Sequence, residues 1–301
     1  MALTQDQIHQ FEKEGYLLIS GGLEVSNLDP IVDEYRDFID QRASSLYAAG
    51  KISELYEKEP FNRRLALICA ENREIYSELD IMYFRGRASF EFLRNEHMMD
   101  MVESLIGPEI TCSPIQHTRA KLPEGLTPEG SDRHVAPWHQ DAGVTWAEAD
   151  PYFILTVWLP LSSAVPENGC LQIIPRTHGP GLMQHHIEPG LGTVIVEHEM
   201  PDVEALTLPM EIGDVLLMHK EIPHRSTSNE SETVRWSMDL RYQKTGTPTG
   251  RPFYPDFVTR SRDNPSSVLT DYEEWNRLWV EGLDKGQRMQ ANPHRWEPAK
   301  S

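Results

Sequence analysis

His139 and Asp141 stand two residues apart in "PWHQDAG". On an extended strand that spacing projects both side chains to one side. An imidazole beside a carboxylate suits a divalent metal ion. The small Ala142 and Gly143 that follow let the chain turn away without crowding it. Taken alone, a His-x-Asp is equally a hydrogen-bonded pair at a strand end. A third ligand is expected from a distant strand. His224, in "GDVLLMHKEIPHRSTSN", is the best placed, where Pro223-His224 starts the bend after the Val215–His219 strand.

Two imidazoles and a carboxylate on one face of an ion leave half an octahedral sphere open, as in non-haem Fe(II) oxygenases. Arg235 follows His224 by eleven residues, on the otherwise apolar "ETVRWSMDLRY". A guanidinium there is costly to bury unless an anion meets it. Its planar fork suits a carboxylate, which points to a dicarboxylic co-substrate. Ser237 faces the same side and adds a hydroxyl. Arg241, further along the strand, is a rival for the same task.

These residues resemble those of the phytanoyl-CoA dioxygenase (PhyH) family of Fe(II)/2-oxoglutarate oxygenases. The resemblance extends to "FEKEGYLLI" near the start, to "VPENGCLQIIPRTH" and to the His224 segment, over about residues 4–243. It implies that His139, Asp141 and His224 hold iron and that Arg235 clamps the distal carboxylate of 2-oxoglutarate, helped by Ser226 or Ser237. It further implies that Gln116, Thr156 and Trp158 line the co-substrate pocket. The implied reaction uses Fe(II), 2-oxoglutarate and O2 to oxidise an unactivated C–H bond of a small molecule, releasing succinate and CO2. The halogenating branch of these enzymes lacks the carboxylate, so Asp141 implies hydroxylation, desaturation or ring closure. The family's double-stranded β-helix, a jelly-roll or cupin-like core, is the implied fold.

The elements that must carry these residues are partly legible. Thr4 and Gln7 form a capping box for a first helix that Gly15 ends. "YLLIS" reads as a strand. "LDPIVDEYRDFIDQRASSLYAAG" reads as a second helix, with Ile31, Tyr35, Phe38 and Ile39 on one side. "FEFLRNEHMMDMVESLIGPEI" reads as a third, its methionines filling core. From about residue 109 to 243 short strands alternate with turns: "ITCSPIQ", "YFILTVWLPL", "CLQIIP", "GTVIVEH", "EALTLPM", "DVLLMH" and "TVRWSMDLRYQ". The expectation is one mainly β domain over 1–301. It has a helical buttress to about 108, a core to about 243 and a C-terminal extension. In that extension Trp275, Leu278, Trp279 and Leu283 form a helical stripe that docks on the body. Residues 122–137, rich in Gly and Pro, read as an active-site flap.

The net charge of −19 argues against nucleic acid as a partner. No βαβ pattern and no G-x-G-x-x-G supports a dinucleotide fold. Cys69, Cys112 and Cys170 form no pairing framework, the N-terminus is too polar for a signal peptide, and no apolar run is long enough to span a bilayer. A cytoplasmic enzyme without membrane contact is expected. Its partner is a small-molecule substrate, with a secondary metabolite preferred over a CoA ester. Among the spare histidines, His185 and His186 read as solvated loop residues, His134 as surface, His178 as closing a turn and His219 as core or adjacent to the site. Lys121 and Arg133 could meet an anionic substrate, with ordinary solvated charge the preferred reading. The competing reading is a cupin-like metal-dependent isomerase or hydrolase without oxygen chemistry, which gives Arg235 no task.

Overall fold

The structure is a computed structural model that describes residues 2–126, 135–289 and 295–297. Its N-terminal part is helical. In α1 (Gln5–Glu14) the Thr4 hydroxyl accepts from the Gln7 amide and the Gln7 side chain reciprocates, while Gly15 leaves the helix at φ 78°. After β1 (Tyr16–Ile19) come α2 (Asp29–Ala48), α3 (Phe61–Glu71), α4 (Arg87–Phe92) and α5 (Glu96–Ile106). The single third helix expected here is two. The Asn95 side chain accepts the Met98 amide and caps α5, so the chain breaks at that residue.

The β core follows: β2 (Glu109–Cys112), β3 (His117–Lys121), β4 (Ile154–Pro160), β5 (Leu171–Ile173), β6 (His185–Glu188), β7 (Gly192–Ile195), β8 (Leu206–Leu208), β9 (Val215–His219), β10 (His224–Ser226), β11 (Arg235–Lys244) and β12 (Phe257–Ser261). The chain closes with α6 (Tyr272–Arg288). Four of these strands, β3, β6, β10 and β12, and helix α3 were not anticipated. β3 and β6 are too polar to read as strands, and β10 is only three residues long. His224 begins β10 rather than a bend.

The major sheet runs β1-β9-β4-β11-β2-β12, with β3 also on β11; the minor sheet is β10-β5-β8, and β6-β7 form a separate hairpin. Every pairing is antiparallel. The fold is mainly β with flanking helices, a jelly-roll core of the double-stranded β-helix type. β1 and β12 enter the major sheet from outside residues 109–243.

β11 shows how the pleat sorts residues. Trp236, Met238, Leu240 and Tyr242 join the large core against the helices, as do Leu155, Val157 and Leu159 of β4. The alternate residues of both strands face the space between the sheets, where Trp158, Leu171, Ile173, Leu216 and Met218 form a second core. α6 docks through Trp275 and Trp279, both fully buried, and the Trp275 ring stacks on Phe90 at 5.1 Å. Among the described residues no helix is long and apolar enough to cross a membrane. All three cysteines are buried and unpaired.

Trp275→Ala should destabilise the fold by about 3–5 kcal/mol, because it empties a fully buried aromatic site. Urea unfolding reads this directly; a loss below about 1 kcal/mol would show that α6 is not integral to the core.

Candidate metal centre and anion pocket

His139 does not lie on a regular strand. It forms a single antiparallel bridge with His224, each amide donating to the other's carbonyl at 3.0 and 2.9 Å. Asp141 then opens a 3-10 turn, Asp141–Val144, instead of continuing extended. The outcome is nonetheless convergence: one nitrogen from each of His139 and His224 and a carboxylate oxygen of Asp141 lie within 4.8 Å of one another. His139 Nδ1 donates to the Pro137 carbonyl at 2.8 Å and His224 Nδ1 to that of Ile222 at 2.9 Å. Both rings therefore present Nε2 with a free lone pair. His224 Nε2 lies 3.9 Å from Asp141 Oδ1. Burial, and then the neighbouring His224, push His139 down to about 3, so it stays a neutral donor.

Asp141 is held from both sides. Thr156 donates to Oδ2, and the fully enclosed Arg241 guanidinium donates to Oδ1. Burial opposes its ionisation, but Arg241 and the two imidazoles outweigh that and hold the carboxyl well below its usual range. Arg241, weighed from sequence as a rival clamp, is thus the partner of Asp141. Gln140 faces away and ties the turn to the Gly181 and Glu221 carbonyls and the Met183 amide. His185 is a correction: it is buried on β6, where Nε2 accepts the Gln140 amide at 3.2 Å. Polar sequence around "QHHIE" hid a strand that packs on the metal-bearing turn. A Cβ at Gly143 would lie 2.7 Å from His185 Nε2, so only glycine fits there.

A cavity of about 230 Å³ opens beside His139 and His224. At its far end Lys121 and Arg235 are direct cross-strand partners on β3 and β11. Like charges in that relation repel, and both are buried, at 2% and 4% exposure. Lys121 is therefore not a solvated charge. Its Nζ donates to Ser226 Oγ at 2.9 Å, and Gly169, whose Cβ would meet Lys121 Cε at 2.5 Å, leaves room for its stem. Arg235 Nη1 donates to Ser237 Oγ at 2.8 Å, its guanidinium sits 5.3 Å from the Trp158 ring centre, and its Nε is buried without a partner. No described carboxylate forms an ion pair with either cation. Burial, and then Arg235, push Lys121 down to about 6; burial lowers Arg235 to about 10.

Ser226, Ser237 and Trp158 thus line the cavity. Thr156 reaches Asp141 instead, and Gln116 is buried outside the lining with Nε2 donating to the Ser113 carbonyl at 3.4 Å. Ala136 and Pro137, at the end of the expected flap, line the cavity; Arg133 and His134 lie outside the described residues. His178 Nε2 donates to the Glu12 carbonyl at 3.1 Å, and its ring lies 5.1 Å from that of His219. That pair anchors α1. Arg119 and Asp239 on the cavity wall were missed as site residues, and Lys121 was weighed as an anion contact but read as solvated. The alternation His117, Arg119, Lys121 was the available signal.

The chain is similar to several known proteins. "Phytanoyl-CoA dioxygenase domain-containing protein 1" of Danio rerio is 24% identical over 259 residues, covering 77% of this chain and 87% of its own length. "Phytanoyl-CoA dioxygenase 1" of Oryza sativa subsp. japonica is 24% identical over 256 residues, covering 79% and 88%. Among solved structures the non-heme monooxygenase ThoJ superposes with a TM-score of 0.64 at 15% identity, over 95% of this chain and 100% of that one. The epimerase SnoN, in complex with Fe3+, alpha ketoglutarate and nogalamycin RO, gives 0.54 at 18% identity, over 82% and 86%. The family model described as "Phytanoyl-CoA dioxygenase (PhyH)" matches residues 11–237. With that match running over more than half its length, the chain belongs to the phytanoyl-CoA dioxygenase (PhyH) family.

Proposed function

We propose that the protein is an Fe(II)- and 2-oxoglutarate-dependent oxygenase that oxidises an unactivated C–H bond of a small molecule, releasing succinate and CO2. One observation carries the reading: a convergent His-Asp-His set shares a cavity with two buried cations that no described carboxylate neutralises. The donor set fits ferrous iron. Two neutral imidazole nitrogens and one carboxylate make a facial triad and leave positions for a bidentate co-substrate and O2. The cation pair fits the distal carboxylate of 2-oxoglutarate, with Arg235 supplying the fork and Lys121 the point charge.

When bound, iron with 2-oxoglutarate and O2 supplies the oxidising power for C–H cleavage. The chain's own residues do the rest. His139, Asp141 and His224 hold the metal. Arg241 and Thr156 fix the Asp141 carboxylate by both oxygens. Ser237 and the Trp158 face orient the Arg235 guanidinium, and Ser226 orients Lys121. Leu79, Val144 and Leu171 contribute apolar wall to the cavity. A cupin-like isomerase or hydrolase would use the same triad but leaves Lys121 and Arg235 with an unrelieved desolvation cost.

His139→Ala and Asp141→Ala should each abolish Fe(II) retention and substrate-stimulated succinate release while leaving the circular dichroism spectrum intact. Full activity in either variant would rule out the iron assignment. Arg235→Ala should raise the Michaelis constant for 2-oxoglutarate at least about tenfold with a smaller change in kcat; an unchanged constant would refute the clamp.

Lys121 adds a pH signature. A carboxylate beside it favours the ammonium form. Affinity for 2-oxoglutarate should therefore be highest below pH 6 and fall as pH rises through the Lys121 value of about 6. Without the co-substrate, the folded protein releases this proton near 6, whereas the unfolded chain holds it to about 10.4. The unfolded state then binds more protons across that window, so this group lowers stability at neutral pH and stability rises with pH. Lys121→Met should flatten the binding profile, weaken 2-oxoglutarate about tenfold and raise the melting temperature at pH 7. A lower melting temperature with unchanged affinity would contradict the assignment.

A further inference from the structure

We propose that the substrate to be oxidised carries an oxyanion, a carboxylate or a phosphoryl group, and that Arg119 binds it. The inference rests on the co-substrate reading above, because it assigns what remains of the cavity once Lys121 and Arg235 are committed.

Arg119 lies on β3 directly opposite Ser237 of β11 and lines the same cavity as His139 and His224. It is half-buried and makes no hydrogen bond or ion pair with any described residue. Its acidic neighbours are already engaged. Asp80 accepts from His117 Nδ1 and from the Met82 amide, both at 2.9 Å. Asp239 accepts from Arg241 at 3.3 Å. Asp239 faces His117 across the strands, one diagonal step from Arg119, within reach of a long side chain. The two still form no ion pair, so the guanidinium remains available to the cavity.

Charge accounting favours an anion over a cation as the visitor. Lys121, Arg235 and Arg119 stand together on the paired strands β3 and β11, while the wall's carboxylates, Asp80 and Asp239, are engaged by His117 and Arg241. A surplus of cations here is notable in a chain with a net charge of −19, since a local field overrides the global one. Arg225 is occupied by Gln172, at 2.8 Å, and by the Trp138 ring, at 4.8 Å. Arg119 also stands close enough to Arg235 to oppose its charge. A single distal carboxylate on Lys121 and Arg235 does not relieve that row of three cations; a second anion does. A guanidinium presents the forked donors that carboxylate and phosphoryl oxygens accept.

The test uses the iron-loaded full chain with saturating 2-oxoglutarate and O2. Succinate release is followed with matched sets of small carboxylates, phosphonates and the corresponding neutral amides, in wild type, Arg119→Lys and Arg119→Gln. Affinity for 2-oxoglutarate is measured anaerobically in parallel. We expect one acid series to stimulate turnover at least about tenfold over its amides, with that preference lost in Arg119→Gln and partly retained in Arg119→Lys. 2-Oxoglutarate affinity should stay within about twofold in both variants. Which series responds separates carboxylate from phosphoryl recognition. Amides as effective as acids, an undiminished preference in Arg119→Gln, or no responding acid in a wild type that binds 2-oxoglutarate overturns the proposal. Weakened 2-oxoglutarate binding in Arg119→Gln also overturns it, by moving Arg119 to the co-substrate. A wild type that does not bind 2-oxoglutarate in an iron-dependent way sinks the parent reading instead.

Discussion

β11 carries two arginines into the space between two sheets, and each must be met by negative charge for that to be tolerable. Arg241 is met by the protein itself, through Asp141 and Asp239. Arg235 is met only by the Ser237 hydroxyl and an aromatic face, with a second buried cation directly across from it. The difference between these two positions, six residues apart on one strand, organises the interior. One arginine belongs to the scaffold of the metal centre. The other, with Lys121, creates an electrostatic demand that the proposed dicarboxylate would answer.

The metal-bearing turn depends on packing at the hairpin β6-β7 and on the chain end. His185 sits where any side chain at Gly143 would collide, and its ring receives the Gln140 amide. Trp296 donates to the Gly143 carbonyl at 2.7 Å and lies 5.3 Å from the His185 ring, while Arg295 pairs with Asp150. Residues remote in sequence thus determine how Asp141 is presented. Such positioning holds the three candidate ligands, two from one loop and one from a short strand, within 4.8 Å of one another.

Much of the candidate site was legible because its chemistry is encoded in residue types that are costly to bury. His139, Asp141, His224 and Arg235 could be picked out by spacing and by that cost, and the structure brings all four around one cavity or its floor. The strands that were legible had apolar runs, such as "ILTVWLP" in β4. The polar strands β3 and β6 were not: β3 turns Arg119 and Lys121 into the cavity and β6 carries two histidines and a glutamate, so neither shows the usual apolar-in alternation. Lys121 was misjudged for the same reason: a lysine reads as solvated unless the strand that buries it is recognised first. The break between α4 and α5 was missed because continuous apolar periodicity across Leu93 outweighed the capping signal of Asn95.

On the proposed reading, His139, Asp141 and His224 grip one ferrous ion and leave half its sphere to small molecules. Crystals grown anaerobically with Fe(II) and 2-oxoglutarate, with anomalous diffraction collected at the iron edge, test it most directly. We expect a single iron peak bonded to Nε2 of both histidines and to one Asp141 oxygen, with the co-substrate chelating it and reaching Lys121 and Arg235. A peak elsewhere, or a fourth protein atom closing the coordination sphere, would contradict it.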